Sequence, residues 1–248
     1  MMEQLIYIYD GSFEGLLTAI YEAYYRREQP DSIVAGQALQ KDFFSREVII
    51  KTDPEKADKV YHSIRQKISQ SALRHVYYVY LSGMEQSGTY IYKYLRLGWK
   101  IGKDIDRYLS LDEVLQVHNI SRKVGNEKHR MLGLVRFKCL QGNIYYASIE
   151  PDYNIVGLIA PHFAKRLSDQ KWAIHDLKRN LAAMYNTKEW IIAELDANIR
   201  VAFEKEERDF QQLWKQYFQS IAIKDRINPR LQKSNMPMKY WKHLIEKW

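Results

Sequence analysis

The sequence predicts an α+β fold: a small mixed sheet with flanking helices, a central helical segment and a C-terminal helical tail. Three observations carry this prediction. Short β-prone runs alternate with helix-capping residues in roughly the first 70 positions. Apolar residues then recur at helical spacing through a long middle stretch. After residue 134 short strand-like runs return, separated by turn signals. The 248-residue chain is 46% hydrophobic, enough for one sizeable core with an appended helical piece. Residues 1–200 are expected to form an α+β core with a helical insertion at about 71–132. Residues 201–248 are expected to form a C-terminal helix and a basic, aromatic tail packed on that core.

Each element has a local reason. Leu5-Ile6-Tyr7-Ile8-Tyr9 is apolar and β-prone and stops at Asp10-Gly11. Ser12 can cap a helix that carries Phe13, Leu16, Leu17, Ile20, Tyr21 and Tyr24. The layout repeats: Val48-Ile49-Ile50 reads as a strand, Asp53 as a cap and Pro54 as a first helical residue. Residues 71–132 read as helical throughout, with Ser110-Leu111-Asp112-Glu113 as a capping box near the middle. Residues 134–140 and 144–149 read as a hairpin turning at Gln141-Gly142-Asn143. Pro161 is expected to start a short helix through Arg166, and Trp172–His175, Ala182–Tyr185 and Trp190–Leu195 are further strands. Glu204 to Ile221 reads as an amphipathic helix with Phe210, Leu213, Trp214, Tyr217 and Phe218 inward. The tail beyond it reads as irregular, ending in a short helix with Trp241 and Leu244.

Charge narrows the function classes. The net charge is +8, and the excess sits in two blocks. Residues 93–138 carry 11 Lys and Arg against 5 Asp and Glu, and residues 197–248 carry 11 against 6. Such blocks attract a polyanion, nucleic acid being the common one; the alternative is a solvated basic surface. The chain holds 19 Tyr and 6 Trp, rings that serve at core edges, at interfaces or as stacking platforms. A single cysteine, Cys139, excludes an internal disulfide, a Cys-ligated cluster and a multi-Cys zinc site, and fits a cytoplasmic location. Cys139 reads as a buried filler residue. No signal peptide or membrane span is visible.

Enzyme signatures are missing: there is no G-x-G-x-x-G, G-x-S-x-G or H-E-x-x-H. Gly98-Trp99-Lys100-Ile101-Gly102-Lys103 looks like a phosphate loop but is one residue short, and Asp104 stands where Ser or Thr would ligate magnesium. In the helix expected at Arg122–Met131, Arg122, Asn126 and His129 share one face, and Lys123, Glu127 and Arg130 the next. The cations can neutralise phosphates and Asn126 can meet a base edge or phosphate; a plain surface helix is the alternative. His129, His162 and His175, with Asp176 beside the last and Glu150 after a strand, are candidates for proton transfer, or else structural groups. No metal-ligand set and no cofactor motif is singled out. The tail from Asp225 to Lys242 interleaves cations with Tyr240 and Trp241, which suits single-stranded or distorted nucleic acid, or else docks its rings into the core.

These stretches carry a likeness. Tyr9-Asp10-Gly11-Ser12-Phe13-Glu14, Val117-His118, Arg122-Lys123-Val124-Gly125, His129-Arg130-Met131, Glu150-Pro151-Asp152, Ala160-Pro161-His162-Phe163, Trp172-Ala173-Ile174-His175-Asp176, Ile227-Asn228-Pro229-Arg230 and Met236-Pro237-Met238-Lys239-Tyr240-Trp241 follow in order along the chain. In them the chain resembles a bacterial family of uncharacterised domains described as probable DNA metabolism proteins. The resemblance implies pairing with a radical SAM protein of DNA modification or repair, and kinship with domains fused to uracil-DNA-glycosylase-like ones. This chain lacks the three-Cys motif of a radical SAM enzyme and shows no glycosylase motif. Ala222-Ile223-Lys224 departs from the Phe-Asn-Pro-like turn of that family.

The expectation is therefore a DNA-binding accessory protein, non-catalytic alone, that acts with a radical SAM partner. Arg122, Lys123, Arg130, Arg136, Arg226 and Arg230 would contact phosphate. Asn126, His129 and Asn228 would lie at the bound strand, and Tyr240 or Trp241 would stack. Two alternatives remain open. One is a glycosylase- or nuclease-like hydrolase built from His129, His162, His175, Asp176 and Glu150. The other is a protein-interaction adaptor.

Overall fold

The computed structural model describes residues 4–36, 45–196, 202–204, 206–220 and 228–247. The fold is α+β, as expected. Two sheets are present rather than one, and the chain divides into two compact units, Met1–Gly125 and Asn126–Trp248. The division falls after Gly125, and the C-terminal segment belongs to the second unit.

In the first unit β1 (Gln4–Tyr9) lies between β2 (Ser32–Ala35) and β3 (Ser45–Ile49), parallel to both. A parallel neighbour needs a crossover, and α1 (Phe13–Tyr25) supplies the one from β1 to β2. Its cap is the expected one: Ser12 Oγ accepts from the Gly15 N–H at 2.9 Å. Asp10 accepts from the Ser12 and Thr52 hydroxyls and thereby braces the cap. The Asp53 carboxylate receives the Glu55 and Lys56 N–H groups at the head of α2 (Pro54–Ser63), with Pro54 in the first turn. Tyr7, Leu16, Ile20, Ile33, Ile64, Ile68, Val76, Ile91, Tyr94 and Leu95 are fully buried and form the core.

The middle of the chain is helical but broken. It comprises α3 (Gln70–Leu81), α4 (Ser87–Ile101), a 3-10 turn (Gly102–Arg107) and α5 (Asp112–Leu134). The first two of its three breaks turn on glycine at positive φ, Gly83 at φ +64° and Gly102 at φ +80°, a conformation that costs other residues steric strain. Gly98 is packed against Ile68, so the phosphate-loop-like segment is the end of α4 and its turn. The capping box does not form at Ser110. The Leu111 carbonyl takes the first helical bond, from the Leu115 N–H, and Leu111 is the cap.

In the second unit the strands follow sequence order: β4 (Lys138–Leu140), β5 (Ile144–Ile149), β6 (Lys171–Asp176), β7 (Leu181–Tyr185) and β8 (Trp190–Glu194). All neighbours are antiparallel except β5 and β6, and α6 (Val156–Arg166) is the crossover between those two. This is the mixed sheet with an antiparallel part that the sequence predicts. Helix α6 begins five residues before Pro161, which lies inside it. Burial of Val156, Ile159, Ala160 and Phe163 holds it together despite the missing proline N–H.

Helix α7 (Glu207–Ser220) corrects the sequence reading. Phe210, Leu213, Trp214 and Tyr217 are 66%, 60%, 38% and 56% exposed, so this apolar face is not inward. Periodicity marks a face; it does not say what covers it. The tail is ordered as well. Asn228 caps α8 (Pro229–Asn235), accepting from the Leu231 N–H, and a 3-10 turn at Met238–His243 buries Tyr240. The Phe218 side chain, Ala222-Ile223-Lys224 and Arg226 lie outside the described residues. Among the described residues no helix is long and apolar enough to cross a membrane.

Candidate functional site

Three elements of the first unit bring two histidines and an aspartate together. His75 comes from α3, whose start is pinned by Ser69 Oγ accepting from the Ala72 N–H. Asp106 comes from the 3-10 turn that Gly102 opens, and His118 from α5. His118 Nε2 lies 2.9 Å from one Asp106 carboxylate oxygen, and His75 Nε2 lies 4.0 Å from the other. The two imidazole rings are 4.3 Å apart between centroids. The surroundings hold each group in place. Ser121 Oγ meets His75 Nδ1 at 2.8 Å, and the Tyr94 hydroxyl donates to Asp106 at 2.7 Å.

The electrostatics follow from burial and contact. Burial pushes the His75 imidazole down to about 4, with the neighbouring His118 adding to the effect and Asp106 opposing it. His75 is therefore neutral at physiological pH. Burial alone would raise Asp106, but hydrogen bonds from Tyr94 and His118 outweigh it and hold the carboxyl below its ordinary value. Tyr94 is pushed up by burial and by donating to Asp106.

The two histidines line a cleft of about 430 Å³, together with Arg74, Asn119, Ser121 and Arg122 among others. Arg74 and Arg122 are exposed, and neither is ion-paired among the described residues. A fork of guanidinium donors beside the two imidazoles suits an oxyanion such as phosphate. Sequence reasoning found Arg122, and His118 entered it only within a stretch of the family likeness. It missed His75, Asp106 and Arg74, because nothing local links positions that only the fold brings together.

The remaining sequence-predicted contacts fare unevenly. Lys123, Asn126, His129, Arg130 and Arg230 face solvent, as a binding role needs. Glu127, expected beside Lys123 and Arg130 on a surface face, is buried instead. It accepts from the Asp152 and Tyr153 N–H groups at 2.8 and 2.9 Å and from the Tyr240 hydroxyl, with Lys239 Nζ at 3.6 Å. Tyr240 is thus an internal tie and not a stacking platform. Trp241 is half-buried, its indole N–H given to the Met236 carbonyl and its ring covered by Lys247. Arg136 is spent on Glu246, at 2.6 and 3.1 Å, over the Trp214 ring. Asn228 is a helix cap.

The five proton-transfer candidates do not assemble. No two of His129, Glu150, His162, His175 and Asp176 are hydrogen-bonded or ion-paired to each other among the described residues. His175 is fully buried; its Nε2 donates to the Leu195 carbonyl and its Nδ1 accepts from the Tyr146 hydroxyl, which marks a structural imidazole. Asp176 is buried and paired with Arg179; burial is the larger influence and raises its carboxyl. His162 is exposed at the edge of Phe163. Glu150 receives Lys242 at 2.6 Å and lies 3.5 Å from His243 Nε2, while Ser148 Oγ meets His243 Nδ1 at 3.1 Å. Burial pushes His243 down against the pull of Glu150. Cys139 is half-buried, and burial with Glu204, Glu207 and Glu206 nearby pushes its thiol up, away from nucleophilic thiolate.

Residues 85–246 match the model of a family described as a domain of unknown function, DUF4130. The matched stretch is more than half of the chain and takes in Asp106, His118 and Arg122, with Arg74 and His75 ahead of it. No curated protein matches the chain.

Proposed function

We propose, for a chain that belongs to the DUF4130 family, a role as a DNA-binding accessory protein of DNA repair or modification, acting with a radical SAM partner. The observation that carries this reading is the cleft of the first unit, where Arg74 and Arg122 stand without ion-pair partners beside His75, His118 and Asn119. A concave basic surface concentrates positive potential, and phosphate is the anion that a guanidinium fork matches. The net charge of +8 adds long-range attraction. The motif likeness to probable DNA metabolism proteins supplies the setting.

The test is binding of labelled single- and double-stranded oligonucleotides, followed by fluorescence anisotropy over a salt series. The Arg74→Ala/Arg122→Ala double variant should bind about tenfold more weakly, with a log–log salt slope shallower by about 1.5 to 2. Both side chains are exposed, so the fold should survive their removal. Equal affinity and equal slope in variant and wild type would overturn the reading.

A second reading has its own observation. The exposed Phe210, Leu213 and Tyr217 on one helix form an apolar surface of the kind that binds protein. It favours an adaptor role toward the radical SAM partner and is compatible with DNA binding elsewhere.

A further inference from the structure

We propose that His75, Asp106 and His118 form a binding site for a divalent first-row transition metal of the zinc class. The inference goes beyond the DNA-binding reading and does not rest on it. One ligand atom from each of the three side chains lies within 4.8 Å of the other two. They come from α3, the 3-10 turn and α5, so the arrangement is a product of the tertiary fold and not of a sequence motif.

An ordinary structural hydrogen bond explains only part of the geometry. The His118–Asp106 contact at 2.9 Å is such a bond. His75 Nε2, however, faces the second carboxylate oxygen at 4.0 Å, too long for a hydrogen bond. Two atoms that each ligate one ion at about 2.0–2.2 Å lie at most slightly farther apart than this. The only hydrogen-bond contact of that nitrogen among the described residues is Ser71 Oγ at 3.3 Å, a weak partner that would give way to a cation.

The surroundings are those of a ligand set. A metal-bound imidazole needs its other nitrogen tied so that the lone pair is aimed at the ion, and Ser121 Oγ ties His75 Nδ1. A ligating carboxylate is in turn hydrogen-bonded, and Tyr94 donates to Asp106. Neutral imidazole and carboxylate are donors that zinc and its neighbours accept. Three protein ligands leave coordination positions open, as in reactive rather than structural sites. Two of the three ligands, His75 and His118, line the cleft that Arg74 and Arg122 also line. The second ligand class is therefore a water or an anionic oxygen, held between ion and guanidinium.

The test uses the full chain stripped of metal by a chelator. Zn²⁺ is added in a calorimeter, and Co²⁺ is added separately while its visible absorption is recorded. One ion should bind per chain, with the intense bands of low-symmetry cobalt. Asp106→Asn and His118→Gln should each weaken binding by about 100-fold or more, and Tyr94→Phe, which leaves every ligand in place, by about 10-fold. His62→Gln should bind as wild type, since His62 and Asp58 form an exposed pair on α2. Circular dichroism confirms that each variant is folded. Wild-type affinity weaker than about 0.1 mM would overturn the proposal, as would folded Asp106→Asn and His118→Gln variants that bind unchanged. DNA affinity is measured separately in the chelated protein, so either proposal can fail alone.

Discussion

Replacing Glu127 with alanine should loosen the second unit where its tail is tied down. The carboxylate is 3% exposed and serves three donors at once: the backbone N–H groups of Asp152 and Tyr153, and the Tyr240 hydroxyl. A hydrogen bond to a charged group contributes about 1.5–3 kcal/mol, and a donor left buried without a partner costs about 1–3 kcal/mol. The full sum is not expected, because Asp152 is exposed and water can reach part of the site. Lys239 also keeps Asp152 as a partner. The result should resemble removal of one member of a buried pair, roughly 3–4 kcal/mol. Glu127→Gln keeps one acceptor oxygen but turns an amide NH₂ toward one of the backbone donors, and should cost about 2 kcal/mol. The assay is native-state hydrogen exchange at the Asp152 and Tyr153 amides, the donors themselves. Their exchange should speed up by roughly 100-fold or more in Glu127→Ala, with a matching drop in the urea midpoint. A change within about 0.5 kcal/mol would refute the view of Glu127 as the anchor of the tail.

Two further outcomes follow. The folded chain resists protonating His75 until about pH 4, whereas the unfolded chain binds that proton near 6.5, so stability is complete above about 6.5 and declines as the pH falls toward 4. In chelated protein the decline should reach roughly 3 kcal/mol by urea unfolding, with His118, Asp106 and Arg74 as the charged or titratable neighbours. A flat profile over that range would refute it. On α7, Leu213→Asp should leave the urea midpoint within about 0.5 kcal/mol of wild type, because Leu213 is 60% exposed. Under the proposed adaptor role, it should abolish co-purification with a co-expressed radical SAM protein. Marked destabilisation, or unchanged association, would count against the exposed face as the docking surface.

Much of the fold was legible because its causes are local. Ser12 and Asp53 cap helices through oxygens that reach N–H groups two or three residues away. The hairpin at Gln141–Asn143 joins β4 and β5 across a short turn. The α6 start and the Ser110 cap were misread for a matching reason. Pro161 and Ser110 carry strong local preferences, but burial of Val156 and Ile159 and the position of Leu111 prevailed. The site was mostly illegible. Arg122 stood out through its basic neighbours, while His75 and Asp106 sit in stretches with no pattern of their own.

Sequence alone settled many of the segments that become helix or strand, though not β2 or α8, where several begin, and that the chain carries an excess of positive charge. Those properties depend on side-chain type and on neighbours a few residues away. Tertiary structure decided that Tyr240 points inward to Glu127, that the apolar side of α7 stays in solvent, and that two histidines meet one aspartate. Burial and convergence are properties of what lies across a packed interface, and residues far apart in the chain meet there only once the backbone has folded.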